Sequence, residues 1–177
     1  GSRVASSAIS LIDDPGLDGM LSSRAFDDEG QPTRRRALII RGRYTDGLHN
    51  GYGAPGEGTV VVDGEGGRSA ALASVLMERG AIDFHELIDA APVTVLVQSL
   101  GPIEVTPAGA FAAPIQWGQS LERGRFSRLL APGKWWLRGR LFDGPDGPGC
   151  LATAEVSREL VDTATGVLPY CMLADVI

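Results

Sequence analysis

Few side chains in this sequence are equipped for chemistry, and they are scattered. Asp27-Asp28-Glu29 sets three carboxylates side by side, which suits general acid–base work or, alternatively, the capping of turn amides. His85-Glu86 joins an imidazole to a carboxylate, while His49 stands alone in a Gly-rich stretch. Cys150 follows the run Asp143-Gly144-Pro145-Asp146-Gly147-Pro148-Gly149. Cys171, between Tyr170 and Met172, reads as a core thiol, because free cysteine is commonly buried. With two histidines so placed, no Ser-His-Asp set can be assembled. Gly64-Glu65-Gly66-Gly67 lies between a strand-like and a helix-like run, the right place for an anion. It lacks the Lys-Ser/Thr of a P-loop and the spacing of a dinucleotide fingerprint, so it reads as a turn.

The elements that must position these groups are short. Ala8–Ile12 alternates weakly and predicts a first strand, ended by the turn Asp13-Asp14-Pro15-Gly16. In Gly30-Gln31-Pro32 a glycine can supply a positive φ and a proline fixes its own, so the chain reverses there. Arg34-Arg35-Arg36 after that turn could pair with Asp27, Asp28 and Glu29 before it, across a hairpin. Ala37–Ile40 predicts a buried strand stopped by Gly42, and Thr59–Asp63 a β-branched one. Ser69–Arg79 places Leu72, Val75, Leu76 and Met77 at helical spacing before Gly80, which predicts a short amphipathic helix. Ile82–Ala91 predicts a second, ended by Pro92. Val93–Val97 reads as a buried strand, and Ile103–Val105 with Ala110–Trp117 as a hairpin around Thr106-Pro107-Ala108-Gly109. Lys134–Leu137 is strand or helix, and Leu151–Val156 and Val167–Ile177 close the chain as strands. The fold class is α+β: a strand-rich single domain over 1–177 with one or two short helices.

Composition narrows the partners. The 177 residues are enough for one domain with a real core, and 24 glycines with 11 prolines point to many turns. A net charge of −6 argues against general nucleic-acid binding, which needs a basic footprint. No apolar run approaches the roughly 20 residues that span a bilayer, and Gly1-Ser2-Arg3-Val4 lacks the layout of a signal peptide. Two cysteines make no disulfide framework, so a reducing cytoplasm is the expected setting.

The order of residues from Phe26 to Gly42 says more than their charge. Phe26-Asp27-Asp28-Glu29-Gly30-Gln31-Pro32-Thr33-Arg34-Arg35-Arg36-Ala37-Leu38-Ile39-Ile40-Arg41-Gly42, with Asp13-Asp14-Pro15 and Ser23-Arg24 upstream, resembles a segment of the TldD/PmbA family of modulator-of-gyrase-type proteases. The resemblance runs from about Val4 to Gly42 and continues collinearly from Thr59 to the end. It covers the C-terminal part of such a protein.

That resemblance implies a subunit, or C-terminal half, of a cytoplasmic zinc-dependent peptidase hydrolysing amide bonds in unfolded or modified peptides or peptide-like metabolites. The family's zinc is held by a His-Glu-x-x-x-His helix and a later cysteine. His85-Glu86 does not fit, since Ala90 stands where a second histidine would be needed. Zinc would therefore be bound mainly by an upstream segment or a partner subunit. Cys150 is the candidate ligand contributed here, by analogy with the family's "G-t-C-G-K", although Leu151-Ala152 replaces Gly-Lys; otherwise it is a partly buried thiol. His49 is a candidate substrate contact, in a stretch from Arg43 to Gly58 shorter than usual in the family. Partners implied are a TldD/PmbA-type subunit or N-terminal half, giving a heterodimer of metal-bearing and metal-free chains, and a peptide-like substrate. A non-catalytic scaffold or dimerisation subunit is the alternative. A third reading is a small-ligand-binding β-domain built on Trp117, Trp135 and Trp136, aromatics that otherwise belong in the core.

Overall fold

Short apolar runs cut by glycine and proline fold as strands almost throughout the computed structural model, which describes residues 1–45, 58–141, 149, 151, 154–163 and 166–172. In chain order these are β1 (Leu11–Asp13), β2 (Arg36–Ile40), β3 (Arg43–Tyr44), β4 (Val60–Val62), β5 (Arg68–Ala70), β6 (Val75–Met77), α1 (Phe84–Asp89), β7 (Val93–Leu100), β8 (Glu104–Val105), β9 (Ala110–Glu122), β10 (Arg125–Leu129), β11 (Trp136–Arg140), β12 (Glu155–Thr163) and β13 (Gly166–Met172). Strand-rich architecture with one short helix among the described residues agrees with the α+β expectation at its helix-poor end.

The first sheet runs β12-β13-β6-β1-β2-β3 and joins the two ends of the sequence. All its pairs are antiparallel except β13 on β6. Its apolar cluster is small: Ala5, Ile9, Ala154 and Val156, with Val4, Ala8, Ile39, Met77 and Leu151 packed against it. Each fully buried valine or isoleucine in such a cluster contributes roughly 1.5–3 kcal/mol. The second sheet is organised around the thirteen-residue β9, whose first half pairs with β8 and β11 and whose second half pairs with β7 and β10. The β7–β9 register slips near Trp117. Before the slip the buried residues of β9 are Ala113 and Ile115, and beyond it Gly118, Ser120 and Leu121. The two-residue β9–β10 turn, Arg123-Gly124, has φ of 47° and 70°, the pair of positive values that a right-handed hairpin twist favours. A two-stranded β4–β5 hairpin completes the strands.

Ser69–Arg79 is not a helix. Val75–Met77 is β6, sandwiched between β1 and β13, and Arg68–Ala70 is β5. The helical spacing of Leu72 with Val75 and Leu76 is incidental: Leu72 is exposed, and the apolar triplet is covered by neighbours at both edges. Gly80 is accordingly no helix stop. Its N–H donates to Ser157 O at 2.7 Å, and a Cβ there would lie 1.8 Å from Val156 O. Gly80→Ala must push the chain off β12, and we expect a loss of about 1–3 kcal/mol in urea denaturation. Gly64→Ala, where an added Cβ meets nothing within 4 Å, is the matched control and should leave the midpoint almost unmoved.

The second predicted helix is present but shorter. Asp83 accepts from His85 N at 2.8 Å and Glu86 accepts from Asp83 N at 3.2 Å, a capping box that starts α1. Leu87 and Ile88 face inward. Strand β7 forms where expected, but it is not buried, since Val93 and Val95 are exposed. The three tryptophans are not core residues either: Trp117 on β9, Trp136 on β11 and Trp135 just before β11 are all exposed. Lys134–Leu137 resolves as the approach to strand β11. Cys171 lies on β13, and its side chain is outside the described residues.

Candidate functional site

The motif residues that the sequence singles out converge on one corner of the first sheet. Asp14, Pro15 and Gly16 follow β1; Ser23, Arg24 and Ala25 precede the acidic turn; Thr33, Arg34 and Arg35 lead into β2. Arg24 N donates to Pro15 O at 2.9 Å and Thr33 N to Ala25 O at 3.0 Å, lacing the three segments side by side. Together they line an open cleft of about 530 Å³. Its charged wall is Arg24, Arg34, Arg35 and Asp14. Arg35 Nε lies 3.3 Å from Asp14 Oδ2, an exposed pair contributing roughly 0–1 kcal/mol. The hydroxyls of Ser23 and Thr33 donate to the backbone carbonyls of Leu17 and Arg24. Arg24 Nη1 lies 3.7 Å from Asp28 Oδ1, so hydroxyls and charges alike are engaged in holding the three segments together.

Below the cleft, the acidic run is consumed in structure. Gly30 takes φ 78° and Phe26 bridges Pro32, so the chain does reverse at the predicted turn. Asp27 Oδ1 accepts from Glu29 N at 3.0 Å and Gln31 N at 2.9 Å, and its Oδ2 accepts from Val60 N at 3.1 Å. Asp28 Oδ2 accepts from Val62 N at 2.8 Å. These two neighbouring carboxylates grip alternate amides of β4, and Glu29 reaches Arg68 on β5 at 3.1 Å. The run thus clamps the β4–β5 hairpin and caps its own turn. Of the two readings of these acids, the capping of amides holds for Asp27 and Asp28. The arginines after the turn find acids further upstream: Arg35 pairs with Asp14 and Arg36 with Asp13. Burial pushes the Asp27 carboxyl up, but the N–H groups of Gln31, Val60 and Glu29 and the charge of Arg24 outweigh it, leaving Asp27 below its ordinary value of 3.8.

Sequence reasoning missed the Asp13–Arg36 pair. The two residues stand directly opposite on β1 and β2, with Arg36 Nε 3.7 Å from Asp13 Oδ2 and both side chains almost fully enclosed. Asp13 Oδ1 also accepts from Ala73 N at 2.9 Å and Ser74 N at 3.1 Å. The available signal was Asp13 itself, an acid at the end of an apolar strand.

His49 and Cys150 lie outside the described residues. His85 is exposed on α1, and its neighbour Glu86 is held in the capping box. Among the described residues no three His, Cys, Asp or Glu side chains come together to hold a metal. That donor set does not fit a catalytic zinc, which needs three protein ligands and an open position.

Comparison with known families gives a match over residues 1–133 to the PmbA/TldA metallopeptidase C-terminal domain. The chain belongs to this family. Comparison with curated proteins gives no match. Among solved structures, this PmbA/TldA-type domain is similar to TldE from Thermococcus kodakarensis, at 27% identity and a TM-score of 0.74 over 97% of this chain and 39% of that one. It is similar at 22% identity and a TM-score of 0.74 to a protein from Thermotoga maritima described as a modulator of a DNA gyrase, over 99% of this chain and 40% of that one. A Bacteroides thetaiotaomicron protein described in the same way matches at 18% identity and a TM-score of 0.72, over 97% and 36%. The domain therefore spans about two fifths of the length of these relatives.

Proposed function

We propose that this domain is one part of a TldD/PmbA-like peptidase complex that hydrolyses amide bonds in unfolded or modified peptides or peptide-like metabolites in the cytoplasm. The observation that carries this reading is the match to a metallopeptidase C-terminal domain over 1–133. Zinc, in this reading, is held mainly by an upstream segment or a partner subunit, and supplies a polarised water when bound. Cys150 is the one ligand proposed from this chain, and His49 a contact to substrate. The residues described contribute positioning: the Asp27–Asp28 clamp holds the β4–β5 hairpin and the Asp13–Arg36 pair joins β1 to β2.

The test compares the 177-residue chain alone with the same chain co-purified with the remainder of a family protein, without chelator. Elemental analysis should find substoichiometric zinc in the chain alone and one zinc in the complex, together with hydrolysis of a fluorescently labelled denatured casein. Loss of that zinc on Cys150→Ala would make this the metal-bearing partner; a retained zinc would make it the metal-free one. A stable complex without zinc or hydrolysis would overturn the peptidase reading. A scaffold role is the second reading, and the engagement of Asp27 and Asp28 with backbone amides favours it, since neither carboxylate is left to act as an acid or base.

A further inference from the structure

Charge is segregated along this chain. Between Val93 and Arg140 there are six basic and two acidic residues, a net +4, whereas the whole chain carries −6, which leaves −10 elsewhere. The basic residues lie on and beside β10 and β11, in the same sheet as the exposed tryptophans. Strand β10 is the most open of these elements. All five of its residues are exposed, and among the described residues it pairs on one side only, with β9.

The register sorts its side chains onto two faces. Phe126 stands opposite Leu121, and Leu129 opposite Gln119, positions two apart on β9 and therefore on one face. Trp117, two residues further on, continues that row. Phe126, Leu129 and Trp117 are 61%, 64% and 60% exposed. Arg125 and Arg128 stand opposite Glu122 and Ser120, on the other face. Arg128 lies over the Trp135 ring at 5.2 Å, which holds its guanidinium in place, and Arg125 borders a recess of about 670 Å³ with Val93 and Arg123. One edge strand, with a bulge between Phe126 and Arg128, thus presents Phe126 and Leu129 on one face and Arg125 and Arg128 on the other, and among the described residues no strand but β9 pairs with it.

We infer that β10 is a docking edge for an extended segment of an acidic partner protein in which apolar and acidic residues alternate. Added alongside β10, such a segment would place its apolar residues beside Phe126 and Leu129 and its carboxylates beside Arg125 and Arg128, with main-chain hydrogen bonds between the strands. A second copy docking face to face is disfavoured, because it would set these arginines against themselves. The open backbone edge offers main-chain hydrogen bonds that another strand can take up and a base or phosphate cannot continue, which favours an extended protein segment over single-stranded nucleic acid. This surface requires no hydrolysis, so the inference stands apart from the proposed peptidase role.

The test is fluorescence anisotropy of the full 177-residue chain with labelled heptapeptides alternating glutamate with leucine or lysine with leucine, and with a labelled oligothymidine. The glutamate peptide should bind, more weakly as salt rises, and the lysine peptide should not. Arg125→Glu with Arg128→Glu should weaken the glutamate peptide about tenfold or more and create binding of the lysine peptide, a gain that unfolding cannot produce. Phe126→Ser with Leu129→Ser should weaken the glutamate peptide in the same way, with an unchanged circular dichroism spectrum. Failure of the glutamate peptide to bind, equal binding of the lysine peptide, or tighter binding of oligothymidine would each overturn the inference. So would dimerisation of the chain, by sedimentation, that Phe126→Ser abolishes.

Discussion

Replacing Arg36 by leucine is expected to destabilise the domain by about 3–5 kcal/mol, because one half of an enclosed ion pair is left behind. Asp13 and Arg36 are directly opposed on neighbouring strands, with side chains 1% and 2% exposed. In Arg36→Leu the Asp13 carboxylate keeps its bonds from Ala73 N and Ser74 N but loses its counter-charge. Asp13→Leu is the more complex change, since it strips those two amides of their acceptor as well as leaving the guanidinium. The double variant, apolar at both positions, should lose less than the sum of the two single losses, since it leaves no unpaired charge although the two amides stay without their acceptor. Urea denaturation of the four proteins closes the cycle. Single losses that simply add would show that the two groups do not depend on each other.

Asp27→Asn is expected to cost about 2–4 kcal/mol near neutral pH, from the weakening of charge-assisted bonds to three amides. Asparagine keeps one acceptor oxygen, but its amide nitrogen must face N–H groups of Glu29 and Gln31 or of Val60. The effect should depend on pH in a defined sense. The folded-state value of Asp27 lies below the ordinary 3.8, so its ionisation contributes stability that is fully present above 3.8 and is lost as pH falls through the lowered folded value. The difference between wild type and Asp27→Asn should therefore be constant from pH 7 to 5 and shrink below about 3.8. Denaturation midpoints at pH 7, 5, 4 and 3 measure it. A difference that does not change with pH would assign the loss to shape rather than to charge.

Elements announced by local chemistry were legible in the sequence. The turn at Gly30-Gln31-Pro32, the strand Ala37–Ile40, the hairpin around Thr106–Gly109 and the capped helix near Asp83 all follow from residues within a few positions of each other. What failed depended on distant partners. Val75-Leu76-Met77 is equally apolar as helix or strand, and only β1 and β13, far away in sequence, decide for strand. The tryptophans were expected in the core on general hydrophobicity, whereas all three are exposed. The candidate site divides in the same way. The Asp14, Ser23-Arg24 and Thr33–Arg35 segments were visible as parts of one motif, but their convergence on one corner and the choice of Asp13 by Arg36 over the nearer acids needed the β1–β2 register.

The two sheets also differ in when they can form. Every partner of β9 lies between Val93 and Arg140, so the second sheet closes with short loops and could assemble as soon as that stretch leaves the ribosome. The first sheet cannot, because β6 needs β1 on one side and β13, some ninety residues later, on the other. Non-local pairing of this kind slows folding, and β6 must wait with an unsatisfied edge while the intervening sheet is made. The nascent chain is thus exposed to strand mispairing at Val75–Met77 for longer than at any strand of the second sheet, and that edge is where a chaperone would be of most use.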